Sequence, residues 1–121
     1  MRDFHDTAAR YIQSFNETDA GRRRELLGRL YTEDARYTDP AHDVTGPGAI
    51  DEFISSTQER FPGYVFSLRG AVDGHHNQAR FQWHATAPGE SEPAYVGFDV
   101  LVTDNGQVRN VYGFLDKVPS A

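Results

Sequence analysis

The sequence of 121 residues contains no cysteine. That removes disulfides, thiolate metal sites and a cysteine nucleophile from consideration. No apolar run approaches the ~18 residues that a membrane-spanning helix needs, so no membrane association is expected. The opening MRDFHDTAAR lacks the apolar stretch of a secretory signal, which makes the cytoplasm the expected location. Positive charge is scarce: 12 Lys and Arg stand against 18 Asp and Glu, a formal net charge of −6. A chain of that sign lacks the basic footprint of phosphate-backbone binding, so nucleic acid is not an expected partner. The one basic cluster, Arg22, Arg23 and Arg24, reads as a solvated helix face offset by Glu25 and nearby acids. Ser14, Ser55 and Ser67 have no nucleophile-elbow context, and no glycine-rich phosphate loop occurs. His75 and His76, with Asp73, fall in an expected turn without further ligands, so neither a metal nor another cofactor is expected.

What is present suffices for one domain over residues 1–121, with 38% hydrophobic and 12% aromatic residues to fill a core. Residues 3 to 16 place Phe4, Ala8, Tyr11, Ile12 and Phe15 on one helical stripe, which turns the Tyr11 ring inward. A second helix carries Leu26, Leu27 and Leu30. DARYTDP reads as a short strand ending before Pro40, which has no N–H to give a sheet. AHDVTGPG reads as a loop that starts a third helix, with Thr45 as its cap. Ile50, Phe53, Ile54 and Phe61 form that helix's apolar face, and Pro62-Gly63 stops it.

Four strands follow, YVFSLRGAVDG, QARFQWHATA, EPAYVGFDVLVT and QVRNVYGFLD, with turns at HHN, PGESEP and DNG. Helices first and a meander afterwards, in the order α-α-β-α-β-β-β-β, indicate an α+β domain. Its antiparallel sheet should curve strongly around three N-terminal helices, as a cone. Gly70, Gly97 and Gly113 are the candidate bend points.

One residue sits badly in this scheme. YVGFDVLVT alternates as a strand should, yet Asp99 stands at its centre, where a carboxylate is costly unless paired or protonated. It shares a face with Tyr95, Gly97 and Leu101, while Val96, Phe98, Val100 and Val102 share the other. Both faces are fairly apolar, and either can line the cone's cavity. Asp99 also has plainer uses open to it, pairing with Arg80, Arg69 or Arg109 across the sheet. Asp39 can serve as a turn residue and Tyr11 as a core aromatic. His84 suits a core or a cavity position, and His42 with Asp43 suits a pocket rim.

The stretches ARYIQSFNETD, YTEDARYTDP, GAVDGHHN, GFDVLVTDNGQV and VYGF resemble bacterial ketosteroid isomerase and the wider SnoaL-like, nuclear-transport-factor-two-like superfamily. The resemblance runs through almost the whole chain in order. It implies a catalytic set of Asp39, which precedes Pro40, with Tyr11 and Asp99. Asp39 would be the base that moves a proton next to a carbonyl, and Tyr11 and a protonated Asp99 would hold the enolate oxygen. It further implies a hydrophobic small-molecule ligand held by Tyr31, Trp83, Tyr95, Val111 and Leu115, and a homodimer through the apolar sheet face of Val96, Phe98 and Val100. Ile54 stands where the isomerases carry a supporting tyrosine, whereas Tyr31 matches another member of that network.

The activity so implied is cofactor-free proton transfer on a hydrophobic carbonyl compound. A polyketide cyclase closing a ring by aldol addition is the alternative enzyme. A non-catalytic module binding an apolar ligand or partner is the alternative of another class, and an Arg-paired Asp99 would mark it. Limonene epoxide hydrolase shares the fold but needs an Asp-Arg-Asp set, and here Gln82 stands where an acid is wanted beside Arg80.

Overall fold

The computed structural model describes residues 3–120. Helix α1 spans Phe4–Asn16, and the Asp3 carboxylate caps it by accepting from the Asp6 N–H at 3.1 Å. Its inward stripe is Thr7, Ala8, Tyr11, Ile12, Ser14 and Phe15. Helix α2 spans Ala20–Leu30 and is capped in the same way by Asp19. Helix α3 spans Pro47–Arg60, with proline at the start, where its missing N–H is no loss. Its cap position is Gly46 rather than Thr45, and no side chain caps it. Thr45 instead ends a strand, and the Gly46 N–H is satisfied by the Ala35 carbonyl at 2.7 Å.

Six strands follow or interleave these helices: β1 (Tyr31–Asp39), β2 (His42–Thr45), β3 (Val65–His75), β4 (Gln78–Thr86), β5 (Tyr95–Asp104) and β6 (Gln107–Lys117). They form one sheet in the order β2-β1-β6-β5-β4-β3. The α+β class with a curved sheet and N-terminal helices is therefore as expected, with two differences in detail. Residues 42–45, expected to be loop, turn back as β2 and pair with β1. The sheet is mixed, because β1 runs parallel to β6 while its other pairs are antiparallel. The Asp-Asn-Gly turn joins β5 to β6 as expected, with Asn105 and Gly106 both at positive φ.

All three helices lie on one face of the sheet, and the core forms between them. Tyr11, Ile12 and Phe15 of α1 and Ile50 and Ile54 of α3 meet Phe81, Leu101, Val108 and Val111 of the sheet. Burying each such side chain stabilises by about 1.5–3 kcal/mol before entropy is counted. On β5 the buried positions are Gly97, Asp99, Leu101 and Thr103, which decides the face left open by the sequence. Val96, Phe98, Val100 and Val102 are on the outer side, beside the exposed Tyr112 and Phe114. That outer face is where the expected homodimer would rest.

Of the expected bend points, Gly70 and Gly97 adjoin shifts in strand register. Gly113 does not, and its lack of a side chain serves close approach instead. A Cβ there would stand 3.2 Å from both the Asp39 Cβ and an Asp99 carboxylate oxygen.

The Arg cluster also divides. Arg22 and Arg24 are exposed, but Arg23 is 3% exposed and donates to the Asp51 carboxylate at 2.6 Å, to Gln58 and to the Glu17 carbonyl. It lies on the α2 stripe of Leu27 and Leu30 and ties α2 to α3. Removing one partner of a buried pair leaves the other charge uncompensated. Asp51 keeps some contact with water, at 14% exposure, which softens the loss. Arg23→Ala should therefore lower stability by about 2 kcal/mol, under the ~3–5 kcal/mol of a fully enclosed pair. Urea denaturation of both proteins measures it, and a difference below about 0.5 kcal/mol would place this ion pair among surface pairs in effect.

Candidate active site

The site begins with the strand that carries Asp99. Its carboxyl group is 2% exposed, facing the helices from the middle of the sheet. Directly across α1, the Tyr11 hydroxyl lies 2.6 Å from Asp99 Oδ2. From the neighbouring strand, the Trp83 indole N–H donates to Asp99 Oδ1 at 3.0 Å. That reach depends on Gly97, the cross-strand partner of Trp83. A Cβ at position 97 would stand 2.1 Å from the indole, so only glycine lets the ring lie flat across the strand toward Asp99.

No guanidinium touches Asp99 among the described residues. Arg80 pairs with Asp73, and Arg109 donates to Asn110. Burial is the main force on Asp99 and pushes its pKa up to about 6, from 3.8. The hydrogen bonds from Tyr11 and Trp83 pull the other way, and the nearby Asp39 charge adds to the rise. Burial, followed by the Asp99 charge, raises the Tyr11 phenol well above its usual range, so it stays a proton donor.

An indole N–H can only donate, so Trp83 holds Oδ1 as an acceptor and leaves Oδ2 as the oxygen that takes a proton. The Tyr11 contact then has two forms. When Asp99 is ionised, the single phenol hydrogen is spent on Oδ2. When Asp99 is neutral, its own O–H can donate to Tyr11, and the phenol hydrogen is released toward a ligand. One proton at Asp99 thus switches the site from closed on itself to offering a donor.

Asp39 stands at the end of β1, beside Gly113. Its Oδ1 accepts from the Ala41 N–H at 2.9 Å and lies 2.9 Å from His42 Nδ1. Its Oδ2 accepts from the Tyr37 hydroxyl at 2.7 Å. Counting lone pairs, Oδ1 is fully engaged and Oδ2 keeps one free. Asp39 is thus both turn residue and site residue. His42 is held in turn against Phe53, with ring centroids 4.5 Å apart.

Two adjoining cavities meet at these groups. The inner one, of about 80 Å3, is lined by Tyr11, Tyr37, Asp39, Trp83 and Asp99, among others. The outer one, of about 200 Å3, continues past Asp39 and His42 to Phe61, Tyr64 and Tyr95. Asp39, Phe66, Trp83 and Leu115 line both. Tyr11, Asp39 and Asp99 therefore converge on one space, and Trp83, Tyr95 and Leu115 border it.

Tyr31 and Val111 do not. Both are buried in the core and line neither cavity: Tyr31 opens β1 far from its Asp39 end, and Val111 sits beside Tyr37 on the adjacent strand within the core cluster. The Tyr31 hydroxyl has no hydrogen-bond partner among the described residues, and Ile54 has no hydroxyl to offer it. His84 alternates with Trp83 and Ala85, which puts it on the outer face of the sheet, away from the cavity. Asp43 likewise turns outward, to Arg36. Asp73 and His75 stay at the far, exposed end of β3. Tyr37, Phe66 and Arg60 are lining residues for which the sequence offered no separate signal; in Tyr37 the spacing of two from Asp39 on one strand face was the available hint.

Residues 8–111 match the family model of the SnoaL-like domain. No curated protein matches the sequence. Among solved structures, a proposed isomerase of the SnoaL-like family from Agrobacterium tumefaciens is 38% identical, with 92% of this chain and 95% of that one covered at a TM-score of 0.88. A proposed ketosteroid isomerase from Kribbella flavida is 23% identical over 96% of this chain and 79% of its own, at 0.71. A proposed polyketide cyclase from Sinorhizobium meliloti is 13% identical over 89% and 93%, also at 0.71. The last two share the fold and establish no more than that. The family match and the Agrobacterium relative, together with the helices-then-curved-sheet architecture, identify the chain as a member of the SnoaL-like family.

Proposed function

We propose that this protein catalyses cofactor-free proton transfer next to a carbonyl, as an isomerase of unsaturated ketones. The observation that carries the reading is the buried Asp99, bonded to Tyr11 and free of any arginine, in the same cavity as a base with one unoccupied lone pair. In the step, the α C–H bond of a β,γ-unsaturated ketone breaks and its proton passes to Asp39 Oδ2. The electron pair delocalises onto the carbonyl oxygen as a dienolate. Tyr11, with neutral Asp99 behind it, donates to that oxygen as charge develops. Asp39 then returns the proton to the γ carbon, giving the conjugated ketone with no net gain or loss of atoms.

The apolar walls strengthen those hydrogen bonds by keeping water away. The absence of a guanidinium on Asp99, among the described residues, supports an enzyme over a plain binding module, since a paired carboxylate could not become a neutral donor. The direct test follows the ultraviolet absorption of the conjugated enone as the protein is mixed with cyclohex-3-enone and with a β,γ-unsaturated ketosteroid. Turnover above the buffer rate is expected for at least the smaller ketone. No acceleration of either would withdraw the isomerase reading.

A further inference from the structure

The outer cavity holds a group that proton transfer does not use. Arg60 ends α3 and lines this cavity, with its guanidinium carbon 5.3 Å from the Phe61 ring centroid. Arg10, Arg23, Arg29, Arg36 and Arg80 are each paired with a carboxylate, while Arg22, Arg24, Arg69 and Arg109 have no ion pair among the described residues but do not line this cavity. Arg60 has no ion pair among the described residues. Among the described residues the one carboxylate lining its cavity is Asp39, which bonds to Ala41, His42 and Tyr37 rather than to an arginine and keeps one Oδ2 lone pair for the reacting proton. A lone cation therefore stands at the rim of a space whose opposite end is built to hold an oxyanion.

The walls between them are aromatic. Phe61, Tyr64 and Tyr95 meet edge-on or tilted, with centroids 5.3, 5.5 and 6.5 Å apart, and Trp83 packs on Phe66 at 5.7 Å. Such walls suit a flat unsaturated ring. The two cavities, about 80 and about 200 Å3, together fall at the lower edge of the ~300–1,000 Å3 usual for ligand pockets. That is small for a four-ring skeleton.

We propose, resting on the proton-transfer reading, that the substrate is a one- or two-ring unsaturated ketone carrying a carboxylate. Its carbonyl lies at Tyr11 and Asp99, its reacting carbon at Asp39, and its carboxylate at the Arg60 guanidinium. The distant ion pair gives orientation. Holding the far end of the ring fixes which carbon faces Asp39 Oδ2, so binding energy away from the reaction sets its geometry. In a chain of net charge −6, an unmatched arginine also marks the one place along this cavity where an anion is drawn in.

Stable phenols, which mimic the enolate, test the arrangement by calorimetric titration of the intact protein. 6-Hydroxy-2-naphthoate should bind roughly fivefold more tightly than 2-naphthol, a modest factor because Arg60 is exposed. That preference should vanish in Arg60→Gln and survive in part in Arg60→Lys, and it should shrink with added salt. A four-ring phenolic steroid should bind more weakly than 2-naphthol. Equal affinities for naphthoate and naphthol, or a preference that persists in Arg60→Gln, would overturn the carboxylate site. A steroid that binds as tightly as 2-naphthol would overturn the size limit. Tyr11→Phe reads the underlying assignment separately. If 2-naphthol affinity is unchanged there, the oxyanion site itself is gone, whereas loss of the Arg60 effect alone removes only the distal subsite.

Discussion

Asp39→Asn should slow conversion of a β,γ-unsaturated ketone by ~10²–10⁴-fold, the usual worth of a positioned base. The substitution is nearly isosteric, and the amide oxygen can still accept from Ala41 or Tyr37, so the turn at the end of β1 should hold. What disappears is the ability of the group to take a proton. Thermal unfolding of the variant within a few degrees of the parent would show that the loss is chemical. His42 supplies the competing outcome. Its ring lines the outer cavity beside Asp39 and is a third exposed, so it is the other proton acceptor in reach. A rate in Asp39→Asn within tenfold of the parent would move the base from Asp39 to His42.

The second large effect concerns pH. Asp99 has a folded pKa of about 6 against 3.8 for an unperturbed carboxyl, chiefly through burial. A raised pKa means that the folded protein binds this proton more tightly than the unfolded chain. The stability it contributes is complete below pH 3.8 and is lost as pH rises through about 6. A shift of this size corresponds to roughly 3 kcal/mol across that window. Asparagine mimics the neutral acid: its oxygen can accept from Trp83 and its N–H can donate to Tyr11. Relative to Asp99→Asn, the parent should therefore weaken by most of that amount between pH 4 and pH 7.

The same proton should govern rate. Ionised Asp99 consumes the Tyr11 hydrogen, so kcat/KM should fall about tenfold per pH unit above the midpoint near 6. In Asp99→Asn that alkaline decline should be missing. Trp83 is the single tryptophan and touches Asp99 directly, so its fluorescence should titrate with the same midpoint in the parent only. A kcat/KM that is flat from pH 5 to pH 8, with no fluorescence transition, would remove neutral Asp99 from the mechanism.

Sequence patterns carried the local features well. The Tyr11 stripe, the Asp-Asn-Gly hairpin and the misfit of Asp99 in its strand each follow from periods of a few residues, which is how far such rules reach. Four residues at 42–45 are too few to show a period, and β2 was hidden for that reason. Arg23 looked solvated because its partner Asp51 is distant in sequence, and only the crossing of α2 with α3 brings them together. The bond from Trp83 to Asp99 depends on a cross-strand register that places glycine beneath an indole. Tyr31 was implied as a site residue by the family resemblance, yet it opens β1 at the end away from the cavity that Asp39 lines.

The parallel pairing of β1 with β6 sets a timetable for the newborn chain. β1 can close its hairpin with β2 early, but its other edge stays bare until residues 108 to 112 exist to zip against it. Tyr37 and Asp39 belong to that strand, so their arrangement awaits a segment made much later than β1 itself. Contacts so widely separated along a chain form slowly. The β1 edge should thus stay unpaired through much of synthesis, exposed to helpers or to aggregation in the interval.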